Sequence, residues 1–461
     1  MAVRSGFSSR LGFVAAAAGS AVGLGNIWKF PFEVGAGGGG IFLIMYLSFC
    51  FLLCFPVMVA EIAIGRKTQR NPVGAFKVLG FPKWSIIGKL GLISGVLILS
   101  YYNVVAGWAF GYFIEMVMGN FSIGEQFGDY IKDVVKVGAY GIVFMGTTAF
   151  IVSKGIAGGI EKAAKLLMPT LVIIILSLVV YALTLDNAWD GIKFYLVPDI
   201  SEVKLEVIYK ALGQAFFSLS LGMGALITYG SYVGKNENII SSAVLITLAD
   251  VGIAFIAGLM MFPLVFSQGL PPNGGPGLIF VTLPGVFGSL GGGLGVFIGS
   301  LFFLLLSFAA LTSTVSLLEV PVSYVVDELD VRRTKAVWLV ALVIFVVGLP
   351  SLIGNGYSAM FTNFITYIGD ENATNFMDFV GHVANDSFLP LGGFLISIFA
   401  AYIWKKPSFY GEISKGYPEF ENSIWSKYLG FGVRFLCPTI LGLLFILTVL
   451  DRFFGIVIIA G

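Results

Sequence analysis

Apolar residues in this chain gather into eleven long runs: about 11–35, 41–65, 87–118, 138–153, 164–185, 206–231, 239–267, 294–327, 335–352, 376–404 and 428–457. A membrane-crossing helix needs about 20 predominantly apolar residues. Each run therefore predicts one span, and together they predict an all-α polytopic membrane protein. Most runs are smooth. Those at 11–35, 87–118, 206–231 and 294–327 are interrupted by glycines and polar side chains.

The first run contains Gly19-Ser20-Ala21-Val22-Gly23-Leu24-Gly25-Asn26-Ile27-Trp28-Lys29-Phe30-Pro31. An anchor in lipid has no use for these glycines, the asparagine or the lysine. Broken helix at membrane depth is tolerated only against protein or a water-filled site. The sixth run repeats the theme in Gly213-Gln214-Ala215-Phe216-Phe217-Ser218-Leu219-Ser220-Leu221-Gly222-Met223-Gly224. Runs one and six are the first members of two sets of five. Interrupted helices at matching positions of two halves point to the binding site of an inverted-repeat transporter. A break frees carbonyls that favour a cation and amides that favour an anion. Two such breaks can hold a zwitterion such as an α-amino acid beside small cations.

Composition agrees. Of 461 residues, 57% are apolar and 11% charged, and the mean hydropathy is +0.93; soluble domains carry about 25% charge. The net charge of +1 gives no sign of a nucleic-acid partner. Cys50, Cys54 and Cys437 all lie in apolar runs and read as small buried hydrophobes. The single histidine, His382, excludes a multi-histidine metal site. With the N-terminus in the cytoplasm, nineteen of the 27 Lys and Arg residues fall on cytoplasmic stretches, and the other side is acidic or neutral. Eleven spans then leave the C-terminus outside. The apolar external loop near 268–293, rich in Pro and Gly, predicts a lid-like helical hairpin.

In order along the chain stand Arg10-Leu11-Gly12, Gly23-Leu24-Gly25-Asn26, Phe30-Pro31, Gly37-Gly38-Gly39, Glu61 with Gly65-Arg66, Tyr101-Tyr102, Phe216-Phe217-Ser218-Leu219-Ser220 and Leu311-Thr312-Ser313. Over about residues 8–455 this set resembles the neurotransmitter:sodium symporter family, in its bacterial amino-acid branch. The resemblance implies one transporter domain over 1–461 with the LeuT fold. Its eleven helices would form two inverted five-helix repeats, about 11–185 and 206–404, and an extra helix at about 428–457. Helices one and six would be unwound mid-membrane. It implies sodium-coupled import in a bacterial inner membrane, by a monomer or weak homodimer with no organic cofactor.

Carried onto this sequence, one sodium site would use Ala21, Asn26, Ser218 and Asp250 with the substrate carboxylate. A second would use Gly19, Val22, Ala309, Thr312 and Ser313. All-oxygen ligation suits a hard cation. Asp250, a carboxylate within a span, is a functional residue by default; it would replace the chloride that some family members need. The substrate carboxylate would meet Leu24, Gly25 and Tyr102, and its amine Ala21, Phe217, Ser218 and Ser220. The side chain would lie among Ile98, Phe217, Met223, Ser313 and Leu317. With no charge among these, a hydrophobic or aromatic amino acid is expected, and Met223 adapts its shape to different partners.

The family pattern places an outer gate at Lys29 and Asp378, with Tyr102 and Phe217 capping the substrate. An inner gate would pair Arg4 with Asp327 near Tyr232 and Ser231, with Phe7 where tryptophan is usual. Gly159 and Pro169, nine residues apart, mark where the fifth helix would unwind. The alternatives are a cation-coupled carrier of another solute, with Glu61 and Glu319 marking an ion pathway, or a non-transporting amino-acid sensor. A channel lacks its continuous polar face, and an enzyme lacks any nucleophile–base constellation.

Overall fold

The computed structural model describes residues 6–272, 277–369 and 371–456. These are helical apart from turns and two isolated bridges, Gly39 with Pro198 and Ile365 with Thr374. The principal helices are α1 (Arg10–Ala21), α2 (Gly25–Ala36), α3 (Gly40–Thr68), α4 (Pro82–Val117), α5 (Val134–Ser153), α6 (Ile156–Ala182), α7 (Leu205–Ser218), α8 (Ala225–Gly230), α9 (Ile239–Ser267), α10 (Gly292–Leu329), α11 (Arg333–Ile353), α12 (Phe376–Ile403) and α13 (Ile424–Phe454). Nine of these are long and apolar enough to cross a membrane, and α1 with α2, bent by 50°, makes a tenth. The sixth run becomes α7 and α8, each too short to cross alone.

Of the four runs that carry glycine and polar residues, only the two expected to unwind, the first and the sixth, break the helix. The runs at 87–118 and 294–327 are continuous, in Ser85–Val117 and Gly292–Leu329. Their glycines serve close packing instead: a Cβ on Gly91 would lie 3.0 Å from the backbone of Met223 and Gly224. A helix at membrane depth stays intact unless other groups take up its freed amides and carbonyls. Those groups converge only around runs one and six.

The broken helices form the centre. α1 packs against α6, α9 and α10, while α7 and α8 lie along α3. Leu166, Ile173 and Leu342 stand exposed on the outer faces, where lipid would meet them. At one end Arg66 is buried, donates to Glu412 at 2.9 Å, and also bonds the carbonyls of Glu237 and Glu412. That pins Lys406–Ser414 beneath α3. In the 268–293 loop the described part forms one apolar helix, Ile279–Ser289. Its Phe280 is buried among Trp28, Trp108, Tyr112 and Phe127. The three cysteines are free and buried.

Candidate functional site

Between α1 and α2 the chain leaves helical geometry at Val22, with ψ 106°. The amides released there find side chains. The Gly23 N–H donates to Asn26 Oδ1 at 3.0 Å and the Leu24 N–H to the Tyr102 hydroxyl at 2.9 Å. The released carbonyls accept: Ser20 from the Ser220 hydroxyl at 2.9 Å and Val22 from Thr312 at 3.2 Å; the Gly25 carbonyl, already bonded by the Phe30 N–H, also accepts from Gln214 Nε2 at 2.9 Å. Glycine is required at position 23 by space. A Cβ there would lie 2.3 Å from Ser313 Oγ and 2.8 Å from the Tyr102 hydroxyl.

The break between α7 and α8 faces the first. Ser220, Gly222 and Gly224 adopt positive φ of 53°, 79° and 76°. The buried Glu61 carboxylate of α3 accepts the Gly222 N–H at 2.8 Å. Glu61 thus braces the break within the protein.

A small cavity lies between the breaks. Ala21, Gly25, Ile98, Tyr102, Phe217, Ser218, Ser220, Met223, Ser313 and Leu317 line it, with Ser20 and Gly23 in addition. Ten of the eleven expected substrate residues therefore share one wall. Leu24 is not on it, but its N–H is held by Tyr102, which is. The wall is apolar around Ile98, Met223 and Leu317, and polar where Ser20, Ser220 and Ser313 meet.

Beside the cavity Asn26, Tyr46, Ser218 and Asp250 form a fully enclosed polar cluster. Asn26 Nδ2 donates to Asp250 Oδ1 at 2.7 Å, and the Ser218 hydroxyl lies 2.9 and 3.0 Å from the two carboxylate oxygens. The Tyr46 hydroxyl is 3.1 Å from both Asp250 Oδ2 and Ser218 Oγ. Tyr46 was not expected here. The signal was available: a phenol in a smooth apolar run needs a polar partner for its hydroxyl. On the other side of α1, Thr312 Oγ1 lies 2.9 Å from the Ala309 carbonyl, and Ser313 Oγ lies 3.4 Å from that of Val22. Gly19 is the close neighbour of Thr312: a Cβ there would sit 3.3 Å from it.

Above the cavity a wider vestibule of 410 Å³ includes Lys29, Glu33, Asp378, His382, Asp386 and Arg452 in its wall. Lys29 and Asp378 both line it but do not form the expected ion pair. Asp378 is exposed and bonds Asn375 Nδ2 at 2.9 Å. A second α12 carboxylate, Asp386, two turns further along and half-buried, lines the same vestibule as Lys29. The sequence pattern missed it because a π turn, His382–Phe388, shifts the register of α12. The Lys29 ammonium itself sits 4.9 Å over the Phe217 ring, roofing the cavity.

At the opposite end Arg4 lies outside the described residues. Asp327 accepts from the Asn71 backbone N–H at 2.9 Å. Phe7 occupies the expected plug position: its N–H donates to the Tyr232 carbonyl at 3.1 Å and its ring packs on Phe13, Tyr229 and Tyr232. The Tyr232 hydroxyl bonds Glu319 at 2.6 Å, and Arg333 pairs with that buried glutamate at 2.5 Å. Glu319 is thus held in an ion pair, not open to a pathway. Gly159 lies in the Ile156–Glu161 turn that begins α6, and Pro169 lies inside that helix.

The comparisons with known proteins agree over nearly the whole chain. The model of the Sodium:neurotransmitter symporter family matches residues 4–134 and 125–409. The sodium-dependent transporter YhdH of Bacillus subtilis (strain 168), itself uncharacterized, is 36% identical over 95% of this chain and 96% of its own length. An uncharacterized sodium-dependent transporter of Haemophilus influenzae is 35% identical, over 96% of this chain and 98% of its own. Among solved structures, MhsT in complex with L-phenylalanine superposes with a TM-score of 0.87 at 40% identity, over 96% of this chain and 99% of that one. With the paired breaks and this match, the chain belongs to the sodium:neurotransmitter symporter family, as a LeuT-fold, multi-pass, sodium-dependent transporter and not an enzyme.

Proposed function

We propose that the protein imports a hydrophobic or aromatic L-amino acid, coupled to two sodium ions and independent of chloride. The observation that carries this is the small cavity between two facing helix breaks, with apolar walls and backbone groups at one end. The amides of Leu24 and Gly25 with the Tyr102 hydroxyl would hold the substrate carboxylate. The carbonyls of Ala21, Phe217 and Ser218 with the Ser220 hydroxyl would hold its amine. Ile98, Phe217, Met223, Ser313 and Leu317 would surround the side chain. The similar protein MhsT is seen with L-phenylalanine, which fits an apolar pocket of this kind.

The first sodium ion would sit between Ala21, Asn26, Ser218 and Asp250; a half-turn of the Asn26 amide presents its oxygen. The second would sit among Gly19, Val22, Ala309, Thr312 and Ser313. Asp250 supplies the fixed negative charge beside the first ion, so no chloride is needed. Two charges crossing 100 mV gain about 4.6 kcal/mol, enough for over a thousandfold accumulation. Lys29, Phe217, Tyr102 and Asp386 close the outer side, with Asp386 in the place first expected of Asp378. Phe7 and Tyr232 close the inner side, where Asp327 would be the partner expected for Arg4.

With α7 and α8 counted as one broken span, the chain would have eleven spans in two inverted repeats; the excess of Lys and Arg on one side supports an N-terminus in the cytoplasm of a bacterial cell, and the odd count then a C-terminus outside. A monomer or weak homodimer in the inner membrane completes the reading. Binding of labelled L-phenylalanine to purified protein, with and without sodium, tests the pocket. Sodium-dependent binding displaced by Leu and Trp but not by Asp or Lys is the expected result. Equal displacement by charged amino acids contradicts it.

A further inference from the structure

The start of α6 holds a carboxylate for which the transport reading has no task. Glu161 is 2% exposed. Its Oε2 accepts the Ser8 N–H at 2.7 Å; its Oε1 accepts the Ser8 hydroxyl at 2.5 Å and the Ser9 hydroxyl at 3.3 Å. Lys165, one turn along, pairs with it at 2.5 Å. Ser9 in turn caps α1 by accepting the Gly12 N–H at 3.1 Å. A Cβ on Gly12 would lie 2.0 Å from Glu161 Oε1, so the first turn of α1 is pressed against the carboxylate. A negative charge at a helix N-terminus is favourable.

These contacts join two parts that would have to move. One is the segment leading into α1, whose Phe7 packs on Tyr229 and Tyr232. The other is the first turn of α6, where Gly155 has φ 87° and a Cβ on Gly159 would meet the Ile151 carbonyl at 2.1 Å. Pro169 has no N–H to give the Lys165 carbonyl, which weakens the helix beside the latch. Between α1 and α6 lies a small cavity lined by Ala16, Gly19, Ile160, Ala164 and Thr312 among others. It connects the Thr312 region with Ile160, the neighbour of Glu161.

We propose that Glu161 is a positioning residue: a latch through which loosening of the α6 start and release of Ser8 and Ser9 become one event, opening the cavity beneath Thr312. Once one donor leaves, the buried carboxylate is under-satisfied, a costly state that release of the whole contact set to water relieves. The proposal rests on the sodium reading of Thr312 only for what passes through the cavity.

The test is labelling of Ala164→Cys by a membrane-impermeant maleimide from the side of the inner gate; the native cysteines are buried. Glu161→Gln and the pair Ser8→Ala with Ser9→Ala should each raise the labelling rate about tenfold, the loss of one charge-assisted interaction. All three changes together should do no more than either alone. The serine pair keeps the test decisive if Glu161→Gln does not fold. Unchanged rates, or effects that multiply, overturn the latch. The rates are read without substrate. A native chain that binds no amino acid therefore overturns the transport reading and leaves the latch standing.

Discussion

The Asn26 amide and the Asp250 carboxylate stand 2.7 Å apart. That one bond ties the break in the first span to the middle of α9, 224 positions away. It brings a full negative charge beside the freed backbone, where an anion from solution would otherwise have to serve. Asp250→Asn keeps the shape and removes the charge. Its half-saturating sodium concentration should rise at least about tenfold, the scale of a charge-assisted interaction. Its uptake should also become faster in chloride than in gluconate, where native uptake is equal. Sodium titrations in both anions check this; an unshifted titration contradicts it.

Tyr46→Phe removes the hydroxyl 3.1 Å from Asp250 Oδ2 and leaves the ring against Phe30. A lost hydrogen bond of about 1 kcal/mol should weaken apparent sodium affinity about fivefold, with substrate selectivity unchanged. Sodium-dependent binding at a fixed phenylalanine concentration reads this out.

Gly23→Ala places a methyl 2.3 Å from Ser313 Oγ. Overpacking costs about 1–3 kcal/mol. Substrate binding should fall tenfold or more while the thermal midpoint shifts only a few degrees. Full binding in Gly23→Ala alone would contradict the geometry of the break.

Asp386→Asn should impair uptake more than Asp378→Asn, because Asp386 is the half-buried α12 carboxylate in the vestibule that Lys29 lines, whereas Asp378 is exposed and bonded to Asn375. Lys29→Ala should weaken substrate retention about threefold, the scale of a cation–π contact over Phe217. Dissociation of labelled substrate, compared across the three variants, decides the order.

The spans and the two breaks were legible because lipid leaves polar and glycine residues in a span few roles. Residues 239–267 were read to the residue. The runs at 87–118 and 294–327 carry similar residues yet stay continuous. Glycine at a close helix contact and glycine at a break look alike until the facing partner is known. Most of the cavity wall was legible through the family resemblance, whose motifs cluster at the breaks; Ser20 and Gly23 were missed and Leu24 lies off the wall. Tyr46 and Asp386 were not legible. One sits in a run with few other polar groups, and the other is displaced by a π turn that hydrophobic periodicity does not register.

The most direct test is uptake of labelled L-phenylalanine into proteoliposomes under an inward sodium gradient, with gluconate as the only anion. The account predicts concentrative uptake that collapses when sodium is equal on both sides, rises with an inside-negative potential, and is blocked by Leu and Trp but not by Lys or Asp. Absence of uptake without chloride contradicts the role of Asp250. Uptake indifferent to sodium contradicts the account as a whole.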